Sequence, residues 1–498
     1  MTEYPGDTQQ IEEQSREPEK QGARKLSPAA RSLLRYGGFV ASVGSARAIG
    51  ILITSLTFPF IVRRLGVAMY GLWSYVIAVC GFIDTVANPG VFTYATQQIA
   101  ARRLEAAQTL GDTLVIRLLS GSVGSIVILT VAAFEVRPDV RFLLRCYGIP
   151  AIFVGIMASD YVLGALELFH LRSLLSVVQQ ALYAVGVFVF VRSAKDVIWI
   201  PLSILASSVV SGVVGWVLLW QRGFRPVLSF APHRWRAILV PSFHYASSTL
   251  MSNLYHRSGH IVVRWLLGDF ALGLYAGATR FVDVLRGFIS IAHGVLMPRV
   301  ALYAKAGAGL TRVIRFAVSS LALLSIPLAV GAITTASIVV PLVLGKQFMG
   351  GVRAFQWVAP YVITASAATL YVGTVLYGMG RYRAYLVSTT AGAVSGVALY
   401  LALTPLFGVV GACLAFVLGE AAVAITAYSL SPPEIRRASR TPAIPIAAVA
   451  SFLMAVAVLL AQRKIHSLPV VALGIVVYLI SCLIIGKNWI KSEFQARA

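Results

Sequence analysis

Leu65-Gly66-Val67-Ala68-Met69-Tyr70-Gly71-Leu72-Trp73 has a counterpart much farther along the chain, Leu267-Gly268-Asp269-Phe270-Ala271-Leu272-Gly273-Leu274-Tyr275. Each copy puts Leu-Gly at the end of one apolar run and Gly-Leu-aromatic at the start of the next. The first copy joins apolar runs one and two; the second joins runs seven and eight. An offset of six runs is even, so the two halves share one orientation in a membrane. Parallel repeats of six helices are one known transporter architecture, with the transport path at the repeat interface.

Working outward, apolar runs of about 20 residues, long enough to cross hydrocarbon, recur almost to the end of the chain. They fall near 37–61, 67–88, 113–134, 142–166, 173–192, 197–220, 241–266, 271–297, 313–334, 353–378, 383–405, 408–430, 443–461 and 468–486. Of 498 residues, 58% are hydrophobic and 12% charged, and mean hydropathy is +0.80. No polar segment of domain size interrupts the runs. The sequence therefore predicts an all-α polytopic membrane protein of about 14 transmembrane helices. Small residues such as Gly121, Gly124, Gly392 and Gly396 permit close helix approach, and Pro150, Pro327 and Pro360 can kink helices.

Residues 1–35 are rich in Glu, Gln, Arg and Pro and cannot bury enough apolar surface to fold alone, so a disordered polar tail is expected; no apolar signal core precedes the first run. The expected divisions that follow are a first six-helix lobe over 36–222, a basic linker over 223–240, a second lobe over 241–430, and a two-helix hairpin with a short tail over 431–498. Cys80, Cys146, Cys413 and Cys482 are scattered without metal-ligand spacing and read as small buried residues.

Net charge is +23. In a soluble chain that would suggest nucleic acid; here the cations punctuate helix ends, as cytoplasmic loops do. Arg24, Lys25, Arg31 and Arg35 precede run one, Arg102 and Arg103 follow run two, and Arg222, Arg225, Arg234 and Arg236 follow run six. Further basic residues follow runs eight, ten and twelve. All fall on one side of the membrane, although Arg63, Arg64, Arg137, Arg141 and Lys195 dilute the contrast. Both termini are expected in the cytoplasm, with anionic lipid headgroups, and not nucleic acid, as the basic surface's partner.

Charged side chains also lie within the runs or at their edges: Arg47, Asp84, Asp160, Arg257, His260, Arg280, Asp283, Arg286 and Glu420. A charge at the bilayer centre costs about 2.5–3.5 kcal/mol on insertion scales, so such residues usually face a bundle interior or a wet cavity. A many-helix chain with a charged interior is most simply a transporter and not an enzyme. No nucleotide-phosphate motif or metal-ligand cluster supports a membrane polymerase or glycosyltransferase.

The Tyr-Gly-Leu-Trp-Ser-Tyr opening at 70–75, Asn88-Pro89-Gly90 followed by Gln97-Gln98-Ile99-Ala100-Ala101-Arg102, Gly273-Leu274-Tyr275-Ala276 followed by Met297-Pro298-Arg299, and Pro405-Leu406-Phe407-Gly408-Val409-Val410-Gly411-Ala412 occur in an order that resembles a known family. It is the polysaccharide, or oligosaccharide, flippases (Wzx-like) of the multidrug/oligosaccharidyl-lipid/polysaccharide exporter superfamily. The resemblance runs over most of residues 36–430. It implies two six-helix lobes in a V around a central cavity, with two C-terminal helices added. It also implies translocation of a polyprenyl-diphosphate-linked oligosaccharide across the cytoplasmic (inner) membrane of a bacterium by alternating access, for surface polysaccharide biosynthesis. Polysaccharide polymerases or glycosyltransferases would be its working partners. The rival within the superfamily is an exporter of small cationic drugs, whose cavity should be acidic or aromatic. Many relatives carry an acid late in span seven; here that stretch reads Arg257-Ser258-Gly259-His260, which puts any coupling through that acid in doubt.

For such a substrate, fixed positive charge would offset the lost hydration of the diphosphate, and Arg grips phosphate bidentately. Arg280, Asp283 and Arg286, at i, i+3 and i+6, lie on one broad helix face; they form either a phosphate-facing cluster or an internal ion-pair ladder. Arg257, His260 and Arg264 share a stripe. His260 is either a proton carrier or a satisfied interior histidine, and Arg264, near its span's end, reads as a side chain reaching for the interface. Arg47 has neutral neighbours throughout its run and is read as facing the cavity. Asp84, Asp160, His260 and Glu420 are the candidate sites for proton or sodium coupling; each carboxylate is alternatively a neutralising partner for an arginine. No other cofactor is expected. Tyr245, Tyr255, Tyr275, Tyr371 and Tyr377 are mostly interfacial aromatics.

Overall fold

The computed structural model describes residues 28–88, 90–101, 105–228, 231–306, 309–463 and 469–495; within these, the side chains of 28–45, 47, 86, 244, 245, 248, 288–306 and 488–495 lie outside the description. Among the described residues the protein is helical throughout. Helix α1 (Pro28–Ala87) is followed by the short α2 (Val91–Ala101) and by α3 (Ala106–Phe134). Next come α4 (Pro138–Ala165), interrupted by a π turn and a short break, α5 (Phe169–Phe190) and α6 (Ala194–Gln221). The second half opens with α7 (Pro232–Ala306) and α8 (Leu310–Val343). It continues with α9 (Lys346–Leu376), bent by 43° near Pro360, and α10 (Tyr382–Leu430). The chain closes with α11 (Ala443–Gln462) and α12 (Pro469–Gln495).

Three of these helices are hairpins. Gly66, Gly268 and Gly408 have φ of 75°, 83° and 59°, a region that a side chain disfavours and glycine enters freely. Phe58 and Tyr70 would lie roughly 18 Å apart on a straight helix, yet their ring centroids are 6.1 Å apart. His260 and Tyr275 approach to 5.3 Å across Gly268. Among the described residues, ten helices are long and apolar enough to cross a membrane, and bent α9 makes an eleventh. Each hairpin among the ten contributes two crossings, which brings the total to the fourteen predicted spans.

The two repeat copies pack against one another. Among the described residues, hairpins α1 and α7 share the most extensive helix contact, and α10 also packs extensively on α7. The main core joins both halves through Trp73, Val76, Tyr275, Val282, Tyr361 and Tyr400. A second core gathers around α2, with Ile99, Leu110, Tyr161 and Leu219. Helices α11 and α12 pack on each other and against α8.

At the end of the bundle carrying the Gly66 and Gly268 turns, the hairpin end, backbones touch. A Cβ on Gly71 would stand 2.1 Å from the Asp269 carbonyl oxygen, and one on Gly273 would stand 1.9 Å from that of Val67. The second glycine of each copy is thus the contact point with the first turn of the other.

Candidate functional site

A cavity of about 500 Å³ lies between the halves, walled by the first arm of α1, by α5 and by the second arm of α7. Arg172, Ser176 and Gln180 enter from α5, Thr54 from α1, and Arg280 and Asp283 from α7. Helix α5 builds its wall by periodicity. Leu174, Val178, Leu182 and Val185 form an exposed apolar stripe, while Arg172, Ser173, Ser176, Gln179 and Gln180 gather on the other side, the arrangement of an amphipathic helix with its polar side inward. A second chamber of about 460 Å³ lies inside the first half, between α4, α5 and α6, and shares Arg172 and Ser176 with the first.

Arg172 stands at that junction, 3.5 Å from Asp160, with both side chains about half exposed. Arg280 is exposed into the cavity. Two guanidinium groups and the Asp283 carboxylate therefore share one wet space.

The remaining predicted charges divide among other places. Arg286 turns into the second half, where it donates to the Tyr361 hydroxyl at 3.0 Å. Glu420, 4% exposed, lies 3.8 Å from His256 Nδ1 and is hydrogen-bonded by Tyr255. Tyr361 stacks on Phe416 at 4.2 Å. His260 sits edge-on to Tyr275. Its Nδ1 is buried with no hydrogen-bond partner among the described residues.

Arg257 ties the repeat hairpins together. It donates to the Asn253 side chain at 3.1 Å and to the Ile77 carbonyl at 3.2 Å, and Asn253 in turn donates to Thr85 at 2.7 Å. Asp84 lies 3.6 Å from Arg117, where α1 ends before α2. Arg117, 1% exposed, donates to the Ala87 carbonyl at 2.7 Å, satisfying one of the unpaired carbonyls of a helix terminus. The side chains of Arg47 and Tyr245 lie outside the described residues, as do residues 1–27 of the expected tail; the helix of run one begins at Pro28.

Arg264 is not a side chain reaching for the interface. It donates twice to Glu135, at 2.8 and 3.0 Å, and to Asp269 at 2.9 Å, and lies 4.0 Å over the Tyr75 ring. Arg137 pairs with Asp269 as well. Arg63 donates to the Leu342 and Val343 carbonyls, and Gln347 donates to those of Val62 and Arg63. Apart from Arg264–Asp269, which lies within the second half, these bonds join one half to the other at the hairpin end, which is shut. The cavity lining instead reaches down α5 to Phe169 and Arg172 in its first turn, toward the opposite end.

The family described as "Polysaccharide biosynthesis protein" matches residues 40–304, more than half of the chain. The chain belongs to that family. A curated relative in Escherichia coli (strain K12), "Putative O-antigen transporter", is 21% identical over 383 residues, covering 75% of this chain and 91% of its own. Among solved structures, "Lipid II flippase MurJ, inward closed conformation" superposes with a TM-score of 0.72 at 15% identity over 91% of this chain and 99% of its own. A point mutant of the Vibrio cholerae MATE transporter VcmN gives 0.58 at 14% identity over 82% and 98%. The chain shares its fold with these flippase and MATE structures, and its long apolar helices make this family member a multi-pass membrane protein.

Sequence reasoning missed Arg172, Arg117 and the partnership of His256 with Glu420. Arg172 sits just before the predicted start of its span. The signal that finds it is the polar side of α5, at intervals of three and four residues.

Proposed function

We propose that this family member moves a polyprenyl-diphosphate-linked oligosaccharide from the cytoplasmic to the outer leaflet of a bacterial inner membrane by alternating access. The observation that carries the reading is the pair Arg172 and Arg280 lining one cavity between the two halves. A diphosphate entering that space exchanges hydration for guanidinium donors that match its oxygens. The polyprenyl tail stays in lipid, so only the headgroup needs a wet route.

Orientation follows from the basic loops, which lie at the end opposite the Gly66 and Gly268 turns and mark the cytoplasmic side. The hairpin end then faces outward, and the conformation described is closed to the outside. Rocking of the halves would break the hairpin-end bonds and open the cavity there. Arg257, Asp283 and Arg286 join the binding set as residues that position the cavity wall and the Arg280 arm. Glu420 and His260 in the second half, and Asp84 and Asp160 in the first, are the candidates for proton or sodium coupling. Polymerase and glycosyltransferase partners would supply and consume the substrate.

The drug exporters share the fold, but burying a cationic solute between two guanidinium groups is unfavourable. The deciding experiment is reconstitution in vesicles with a fluorescent polyprenyl-diphosphate glycan. Flipping by the wild type, and its loss in Arg172→Ala and Arg280→Ala at matched expression, is expected. Undiminished flipping in both variants would remove the cavity assignment.

A further inference from the structure

We infer that the chamber between α4, α5 and α6 is the subsite for the sugar attached directly to the diphosphate, and that this sugar is uncharged and rich in hydroxyl groups. The inference rests on the flippase reading and deepens it.

Three features of the chamber point to such a ligand. The first is size: about 460 Å³ falls in the range of small-ligand sites, about 300–1,000 Å³, and accommodates a sugar ring or two but no long glycan. Small residues line it, Ala151 and Ala158 on α4, while Gly155 and Gly212 let their helices pack closely against Arg117 and Met157.

The second is the chemistry of the walls. Ser176 and Gln179 on α5 face Ser208 and Ser211 on α6, with Ser159 on α4. Gln179 donates to Ser208 at 2.9 Å, and Ser211 reaches the Leu175 carbonyl at 3.5 Å. A glutamine offers two donors and two acceptor lone pairs, and a serine one donor and two. These bonds therefore leave capacity on both sides of the chamber. Neutral groups that both donate and accept are what sugar hydroxyls pair with. The wall between them, Leu163, Leu175, Ile204 and Leu205, offers apolar surface to the C–H face of a ring.

The third is the junction. Arg172 and Ser176 line both chambers. A diphosphate held in the central cavity between Arg172 and Arg280 has its first glycosidic bond at the chamber's mouth. Inside, the charges are Asp160 and Arg172, already 3.5 Å apart. A uronic acid would bring a second anion with no cation left to offset it, and burying an unpaired carboxylate is costly. The chamber thus discriminates by the first sugar, while distal sugars stay in the central cavity.

The test uses the full-length protein in proteoliposomes with two probes: polyprenyl diphosphate carrying one neutral hexose, and bare polyprenyl diphosphate. Ser208→Leu and Ser211→Leu put apolar bulk into the chamber without touching either arginine. Each is expected to slow flipping of the glycosylated probe about tenfold or more, because the added side chain fills the space that the sugar ring needs, and to leave the bare probe within about twofold. Ser208→Ala should retain most glycosylated transport. In parallel, thermal shifts of the detergent-purified variants are read with inorganic pyrophosphate and with a nucleoside-free sugar diphosphate. The variants should keep the pyrophosphate shift and lose the increment that the sugar adds in the wild type. Equal loss on both probes, unchanged transport of the glycosylated probe, or no sugar increment in the wild type would each overturn the subsite. Failure of the wild type to flip either probe would instead overturn the flippase reading, and the subsite with it.

Discussion

Arg264 holds Glu135 through two parallel hydrogen bonds of 2.8 and 3.0 Å, with side chains only 14% and 11% exposed, and so fastens the second half of the repeat to the first. Loss of one charged partner in such a pair costs about 2 kcal/mol, a roughly 30-fold shift in the balance between closed and open hairpin ends. Glu135→Gln is therefore expected to raise the outward-open population, read as a longer spin-label distance across the hairpin end or as faster labelling of a cysteine placed beneath it. An unchanged distance distribution would mean that Arg264–Glu135 does not hold the seam.

Gly71 and Gly273 make the same seam at the backbone. Because a Cβ on either would stand about 2 Å from a carbonyl oxygen of the other copy, no rotamer relieves the clash. Overpacking of this kind costs about 1–3 kcal/mol. Gly71→Val and Gly273→Val are each expected to prevent full closure, lowering the thermal stability of the closed form and raising outer accessibility. The single variants should resemble each other, since each separates the same two strands of chain. A variant that closes with wild-type distances would contradict the contact.

The repeat that places this seam was legible because Gly66 and Gly268 are backbone requirements and Leu-Gly-x4-Gly-Leu leaves a short, fixed-length mark. The fourteen crossings were legible from apolar run length alone. The site was legible only in part. Arg280 and Asp283 do line the cavity, but Arg286, one turn on, does not appear among its lining residues and instead bonds Tyr361 in the second half. An i, i+3, i+6 ladder drifts around the helix, and the sequence says nothing of which neighbour awaits each step. Arg264 read as a terminal cation because Glu135, distant in sequence, is invisible to local pattern. Arg117 and Arg172 were overlooked for the converse reason: one is consumed in capping Ala87, and the other precedes the apolar run that marks its helix.

That division between Arg280 and Arg286 separates transport from stability. Arg280 is exposed into the cavity, so Arg280→Ala should change unfolding free energy by no more than about 0.5 kcal/mol while reducing flipping about tenfold or more. Arg286→Ala removes the donor to the buried Tyr361 hydroxyl. Removing a charged donor from a buried hydroxyl costs about 1–3 kcal/mol, and the variant should unfold at lower temperature with or without substrate. Thermal unfolding and vesicle flipping measured on the same preparations distinguish the two; matched stability losses would put Arg280 and Arg286 in one structural cluster.

Acid should open the hairpin end. Hydrogen bonding by the Arg264 guanidinium holds the Glu135 carboxyl below its ordinary value of 4.5, so the closed seam favours the ionised form. The carboxylate's contribution to closure is then fully present above that value and is lost as pH falls through the depressed one. The distance across the hairpin end is expected to stay constant from neutral pH down to the ordinary carboxylate range and to lengthen below it. Arg137–Asp269 is a second ion pair across the same seam, so loss of the Glu135 carboxylate alone should open it only in part. Glu135→Gln removes this titration: its distance should already be long at neutral pH and respond less to acid than the wild type. Spin-label distances on both proteins across the same pH series test this, and an acid response of equal size in the variant would assign the opening to another group.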